Sequence, residues 1–278
     1  MTAPSILIVG RGRLGGSLWR ALAAEGLRVR RCKGSQALVD ATGWDVVLLC
    51  VPDAAIAEVA RRVRAGRATL IAHCAGALDL APLRRLAERG LAVGSLHPLQ
   101  AVPTPKTRLW GWAAIDASTP QAARLLTRVA RIAGMTPFVP GPVDRVLYHA
   151  AAAMAANGLV GLAAQASSIL SSGGLSRAKA IPAILALMQS ALDGVAQLGL
   201  SPGLTGPIAR GDAQLVTAHL EALHRAAPEA LALYRVLAES QLCLVTPDAA
   251  RRAHRALKAT GRAPAARRTR APRGARAR

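Results

Sequence analysis

Aromatic residues are scarce in this 278-residue chain: one Phe, two Tyr and four Trp, 3% in all. Alanine and leucine must therefore do most of the packing, and alanine favours helices because it loses no side-chain rotamer entropy on entering one. Acidic residues are also few, 15 against 36 Lys and Arg, for a formal net charge of +21. That imbalance points to a nucleic-acid binder until its placement is considered. Residues 251–278 hold 11 of the basic residues and no acid. The tail over 259–278, rich in Ala, Pro and Arg, has no apolar periodicity and is expected to be disordered. Salt-dependent contact with nucleic acid is its weak alternative role. Cysteine is limited to Cys32, Cys50, Cys74 and Cys243, with no C-x-x-C pair. This excludes a disulfide framework and fits thiols used as small core residues in a reducing cytoplasm; no metal site is predicted. A basic segment followed by an apolar one is missing from the N-terminus, so no signal peptide is expected. Val146 to Leu170 is long and apolar but broken by Tyr148, His149, Asn157, Gln165 and two serines, which predicts a buried helix rather than a membrane span.

Periodicity organises the rest. Apolar runs at residues 5–9, 27–32, 44–51, 68–73, 91–96, 112–116 and 136–139 read as strands, the run at 44–51 being the strongest. Helical spacing falls between them at 16–25, 56–64, 80–89 and 122–133. Strands alternating with helices predict an α/β domain, a doubly wound Rossmann sheet over residues 1–141. Beyond Pro140-Gly141-Pro142 only helical periodicity remains, at 144–171, 176–198, 211–225, 228–243 and 247–258. An all-helical domain over 142–258 is therefore expected.

Gly10-Arg11-Gly12-Arg13-Leu14-Gly15 is a G-x-G-x-x-G sequence that follows an N-terminal strand and opens a helix. In that setting Gly10 makes the tight turn, Gly12 lets the backbone approach a pyrophosphate, and Gly15 allows close packing. The helix start then offers free N–H groups to phosphate, including those of Arg13 and Leu14. An NAD site usually carries an acid about 20 residues on. Here that place holds Arg28, Arg30, Arg31 and Lys33, with no acid between Glu25 and Asp40. Guanidinium groups suit a 2′-phosphate, so NADP is expected over NAD, with Arg30 and Arg31 as its ligands. Val51-Pro52 and His73-Cys74-Ala75-Gly76 follow strands and are expected to line the same crevice, Val51, Pro52 and Cys74 touching the coenzyme.

Three clusters could do chemistry. His97 sits just past a strand ending at Leu96, where an imidazole suits proton exchange near neutrality. Tyr148-His149 opens the long helix, and Asn157 lies two turns on, among alanines that leave room for a ligand. Thr205-Gly206-Pro207-Ile208-Ala209-Arg210-Gly211-Asp212 brings a hydroxyl, a guanidinium and a carboxylate into one loop. Arg210 could clamp a substrate carboxylate, and Asp212 could equally cap the next helix.

Together Gly10 to Gly15, His73 to Leu78, Gly94 to Gln100, Tyr148 to Ala152, Asn157 and Thr205 to Asp212 resemble a known family. It comprises the bacterial Rossmann-like proteins that carry the C-terminal domain of unknown function 2520. These are relatives of ketopantoate reductase, pyrroline-5-carboxylate reductase and prephenate dehydrogenase, in the superfamily with helical C-terminal domains like that of 6-phosphogluconate dehydrogenase. The resemblance implies a homodimer paired through the helical domain, an active site in the cleft between the domains, and NADP-dependent reduction of C=O or C=N in a small acid. Cys74 stands where a serine is expected. The lysine acid of common ketopantoate reductases is absent, its stretch holding Arg145, Tyr148 and His149. The expected proton donor is therefore His97 or His149, with Asn157 and Thr205 orienting the carbonyl and Arg210 holding the carboxylate. A non-catalytic NADP(H)-binding sensor is the alternative reading.

Overall fold

The computed structural model describes residues 3–66 and 69–259. The basic tail expected to be disordered lies outside these residues apart from Ala259. Two compact units divide the chain, one ending at Gly158 and the other beginning at Leu159.

In the first unit the strands are β1 (Ile6–Val9), β2 (Val29–Cys32), β3 (Val39–Asp40), β4 (Val46–Leu49), β5 (Val63–Arg64), β6 (Leu70–His73), β7 (Val93–Leu99), β8 (Trp112–Ala117) and β9 (Thr136–Phe138). Its helices are α1 (Arg13–Ala24), α2 (Ile56–Arg61), α3 (Arg84–Glu88) and α4 (Pro120–Ile132). Seven strands form one sheet in the order β2-β1-β4-β6-β7-β8-β9, parallel except where β8 runs antiparallel to β7. The short parallel pair β3–β5 stands apart and was not anticipated from the sequence. β1, β4 and β6 are buried on both faces, as their unbroken apolar runs require. Leu18 and Leu22 from α1, with Leu126 and Val129 from α4, cover one face around Ile8 and Leu48. Ile56, Val59, Leu83 and Leu86 cover the other around Val9 and Leu49.

Long-range pairing corrects one expectation. Six register pairs with β8 extend β7 to Leu99, so His97 lies inside the strand and not beyond its end.

α5 (Arg145–Ser172) begins in the first unit and continues into the second. The remaining helices are α6 (Arg177–Leu198), α7 (Leu200–Gly203), α8 (Pro207–Arg210), α9 (Ala213–Ala226), α10 (Leu231–Ser240) and α11 (Pro247–Ala259). Ile208, Val216, Leu220, Ala253 and Leu257 form the second unit's core. The domain boundary expected near 141 and the division at 158 differ by the opening turns of α5, which belong with the sheet. Both α5 and α6 are long and apolar enough to cross a membrane by length and composition. The expectation that α5 is buried does not hold in the single chain: Val146, Leu147, Met154 and Val160 are all exposed.

Candidate active site

The glycine loop opens at the carboxyl end of β1, where the Gly10 N–H donates to the Cys32 carbonyl at 2.9 Å. Gly10 has φ 126, and a Cβ there would lie 2.1 Å from the Cys50 carbonyl oxygen. A Cβ at Gly15 would lie 2.5 Å from the Gly10 oxygen, so the loop packs against itself. At Gly12 a Cβ would meet nothing within 4 Å. Two glycines thus serve the fold, and the third keeps open space in front of α1. That helix starts at Arg13 with no side chain capping it, so its first amides are free for an anion. Leu14 packs against the core and can offer only its backbone, whereas Arg13 is exposed. An open cradle and unspent amides fit a dinucleotide's diphosphate.

The basic stretch after α1 divides. Arg31 lies 4.5 Å over the Trp19 ring and Arg28 4.5 Å over Trp44, so both guanidiniums stack on indoles. Arg30 is exposed on β2, and Lys33 and Ser35 are exposed just beyond it. Arg62 fixes this turn by donating to the carbonyls of Gly34 and Gln36. A Cβ at Gly34 would come within 2.6 Å of Val51, so the turn packs on the segment after β4; Pro52 follows, exposed.

Further along the same carboxyl edge, the imidazoles of His97 and His149 converge over Gly76. A methyl on Gly76 would lie 2.7 Å from His97 Nε2 and 2.8 Å from His149 Nδ1. The two rings, with centroids 6.1 Å apart, thus pack against Gly76 where any side chain would displace them. The other His97 nitrogen, Nδ1, is 3.0 Å from the Tyr148 hydroxyl. Burial, reinforced by the positive charges of His149, Arg145 and His73, pulls His97 from its ordinary 6.5 down to about 4. His97 is therefore neutral near pH 7. Burial raises Tyr148 above the usual phenol range, opposed by Arg145.

α5 holds these groups through its first turn. Asp144 Oδ1 accepts from the backbone N–H of Val146 and Leu147, capping the helix. Arg145 is buried and donates to Asp116 of β8 at 2.9 Å. Its Nη1 and the fully buried Ser95 Oγ lack hydrogen-bond partners. Beside the histidines a cleft of about 550 Å³ is lined by residues 97–101, Tyr148, His149, five alanines between 151 and 156, and Asn157. The expected group of His97, His149 and Asn157 is thus brought together.

His73 is part of the scaffold. Its Nε2 is 2.8 Å from the Asp79 carbonyl and its Nδ1 accepts from Ala75 N–H, fixing the turn that carries Gly76. Cys74 is buried, with its Sγ 3.7 Å from that of Cys50. In the second unit Asp212 caps α9 by accepting from Leu215 N–H, which settles its alternatives in favour of the cap. Arg252 donates to the carbonyls of Arg210 and Gly211, while the side chains of Thr205 and Arg210 are exposed. The chemistry expected of those two rests on their motif. Sequence reading named Tyr148 and Gly76 but not what they do: the partner of Tyr148 is 51 positions away, and Gly76 admits both rings because it lacks a side chain.

Residues 112–241 match the family described as "Domain of unknown function (DUF2520)". No curated protein matches the chain. Among solved structures, one from Bacteroides fragilis, named as a candidate NADP oxidoreductase, shares 21% identity at a TM-score of 0.67. The alignment covers 85% of this chain and 97% of that one. A Thermotoga maritima protein shares 23% at a TM-score of 0.63, covering 84% and 99%. A reductive aminase from Aspergillus terreus, in complex with NADPH and ethyl levulinate, shares 16% at a TM-score of 0.60, covering 87% and 94%. Its sheet, its glycine loop and these structural likenesses give the chain a Rossmann-like fold, and its residues 112–241 are similar to the DUF2520 family.

Proposed function

We propose that this protein is an NADP(H)-dependent oxidoreductase that reduces a C=O or C=N bond in a small carboxylic acid, a ketopantoate-like acid being one such substrate. The observation that carries this reading is the placing of two converging imidazoles on the carboxyl edge where the glycine loop opens. Ligands of open α/β sheets bind along that edge. Gly12 and the amides of α1 hold the diphosphate, and Arg30 and Lys33 supply cations for a 2′-phosphate. The Bacteroides and Aspergillus relatives, one named for NADP and the other holding NADPH, agree with that coenzyme.

When bound, a reduced nicotinamide supplies hydride to the substrate carbon. His149 gives the proton to the developing alkoxide or amine. His97, held neutral, is a hydrogen-bonding partner and not a cationic acid; its Nδ1 ties it to Tyr148 while Nε2 lies on the side of Gly76 and His149. Asn157 orients the carbonyl from the same cleft wall.

The test is NADPH oxidation across a panel of 2-oxo acids, ketopantoate among them, and cyclic imines. A variant carrying His97→Gln and His149→Gln should lose turnover by at least about 100-fold while still binding NADPH. Undiminished turnover rejects the assignment. Binding without consumption of NADPH by the native chain favours the sensor.

We further propose a homodimer through α5 and α6. A helix apolar on all sides needs cover, and Met154, Val160, Leu185, Leu187 and Leu192 are exposed in the single chain. Asn157, Gln165 and the serines of α5 suit a protein partner better than lipid.

A further inference from the structure

Cys50 and Cys74 are free thiols at the carboxyl ends of neighbouring parallel strands, β4 and β6. The register pair Leu49↔His73 places them side by side, and their sulfurs are 3.7 Å apart. Adjacent strands lie about 4.8 Å apart, within the Cα separation of roughly 4.4–6.8 Å that a disulfide spans. Closure therefore needs the sulfurs to approach by under about 2 Å, through side-chain rotation and a small adjustment of the Cys50 and Cys74 backbones. Cys50 is also the floor of the glycine loop: a Cβ at Gly10 would meet its carbonyl oxygen at 2.1 Å, and one at Gly15 its Cβ at 3.3 Å. Whatever shifts Cys50 shifts that loop.

We propose that Cys50 and Cys74 form a reversibly oxidisable dithiol, a modification site that hydrogen peroxide closes to a disulfide, weakening dinucleotide binding. One sulfur attacks the peroxide, the O–O bond breaks, and a sulfenic acid and water result. The second sulfur then attacks the sulfenic sulfur; the S–S bond forms, the S–O bond breaks and a second water leaves. The two thiols lose two electrons, and the peroxide gains them. The partner thiol and burial hold Cys50 well above the usual cysteine range, so this pair reacts slowly, under sustained oxidant. The binding consequence rests on the coenzyme reading above; the disulfide does not.

The experiment uses the full chain with Cys243→Ser, which removes the exposed thiol. After exposure to hydrogen peroxide and alkylation, peptides are mapped without reduction, and NADPH binding is measured before oxidation, after it, and after dithiothreitol. The expected result is a peptide pair linked through Cys50 and Cys74, an affinity about tenfold weaker, and recovery with the reductant. Adding Cys50→Ser should leave the affinity of that variant equal before and after peroxide. Unreacted thiols, separate sulfinic acids, or a disulfide without loss of affinity overturn the proposal. If the reduced chain does not bind NADPH, the coenzyme reading fails, and peptide mapping still decides the dithiol.

Discussion

With its imidazole drawn down to about 4, His97 is neutral in the folded chain over a range where the unfolded chain, titrating near 6.5, takes up a proton. The unfolded state then binds more protons, so stability rises with pH between those values and is lost as pH falls through them. The expected loss is up to about 3 kcal/mol, read from urea unfolding at stepped pH. His97→Gln should flatten much of that slope, the remainder belonging to His73, which burial also lowers. An unchanged slope would show that His97 titrates alike in both states. The glycine loop gives a second contrast. Gly10→Ala places a methyl against the Cys50 carbonyl at positive φ and should lower Tm as well as NADPH affinity. Gly12→Ala adds a Cβ that meets nothing within 4 Å, so Tm should fall less than in Gly10→Ala while NADPH binding still drops. Equal behaviour of the two variants would contradict the division of roles.

Elements carry the site through pairings that local sequence does not encode. Alternating strands and helices, the glycine loop and the polar start of α5 were legible because each rests on periodicity or on neighbouring residues. The reach of β7 to Leu99 was not, because it depends on β8. The Tyr148 contact to His97 and the Asp116–Arg145 pair likewise join residues 51 and 29 positions apart. That ion pair pins the first turn of α5 to the sheet. Asp116→Ala leaves a buried guanidinium without its carboxylate and should destabilise the first unit by about 1–3 kcal/mol. Hydrogen exchange at residues 146–149 should rise with it; protection equal to the native chain would mean that the Asp144 cap alone holds the turn.

At the scale of the whole molecule, the apolar length of α5 was plain in the sequence, but its exposure was not: burial is a property of the assembly that covers a helix. Light scattering should report twice the chain mass, and Met154→Glu with Leu187→Glu should shift it towards one. A native monomer that partitions onto lipid vesicles would instead assign these helices to a membrane surface. The sheet has its own boundary, since β2 and β9 are its two outer strands. Arg30 and Arg31 on β2, and Pro137 on β9, are residues that discourage a stray strand from adding there. The proposed 2′-phosphate contact and resistance to clumping therefore fall on one side chain, Arg30. An engineer who neutralises Arg30 in order to accept NADH would also weaken the guard on that border. An acidic replacement would keep the sentry.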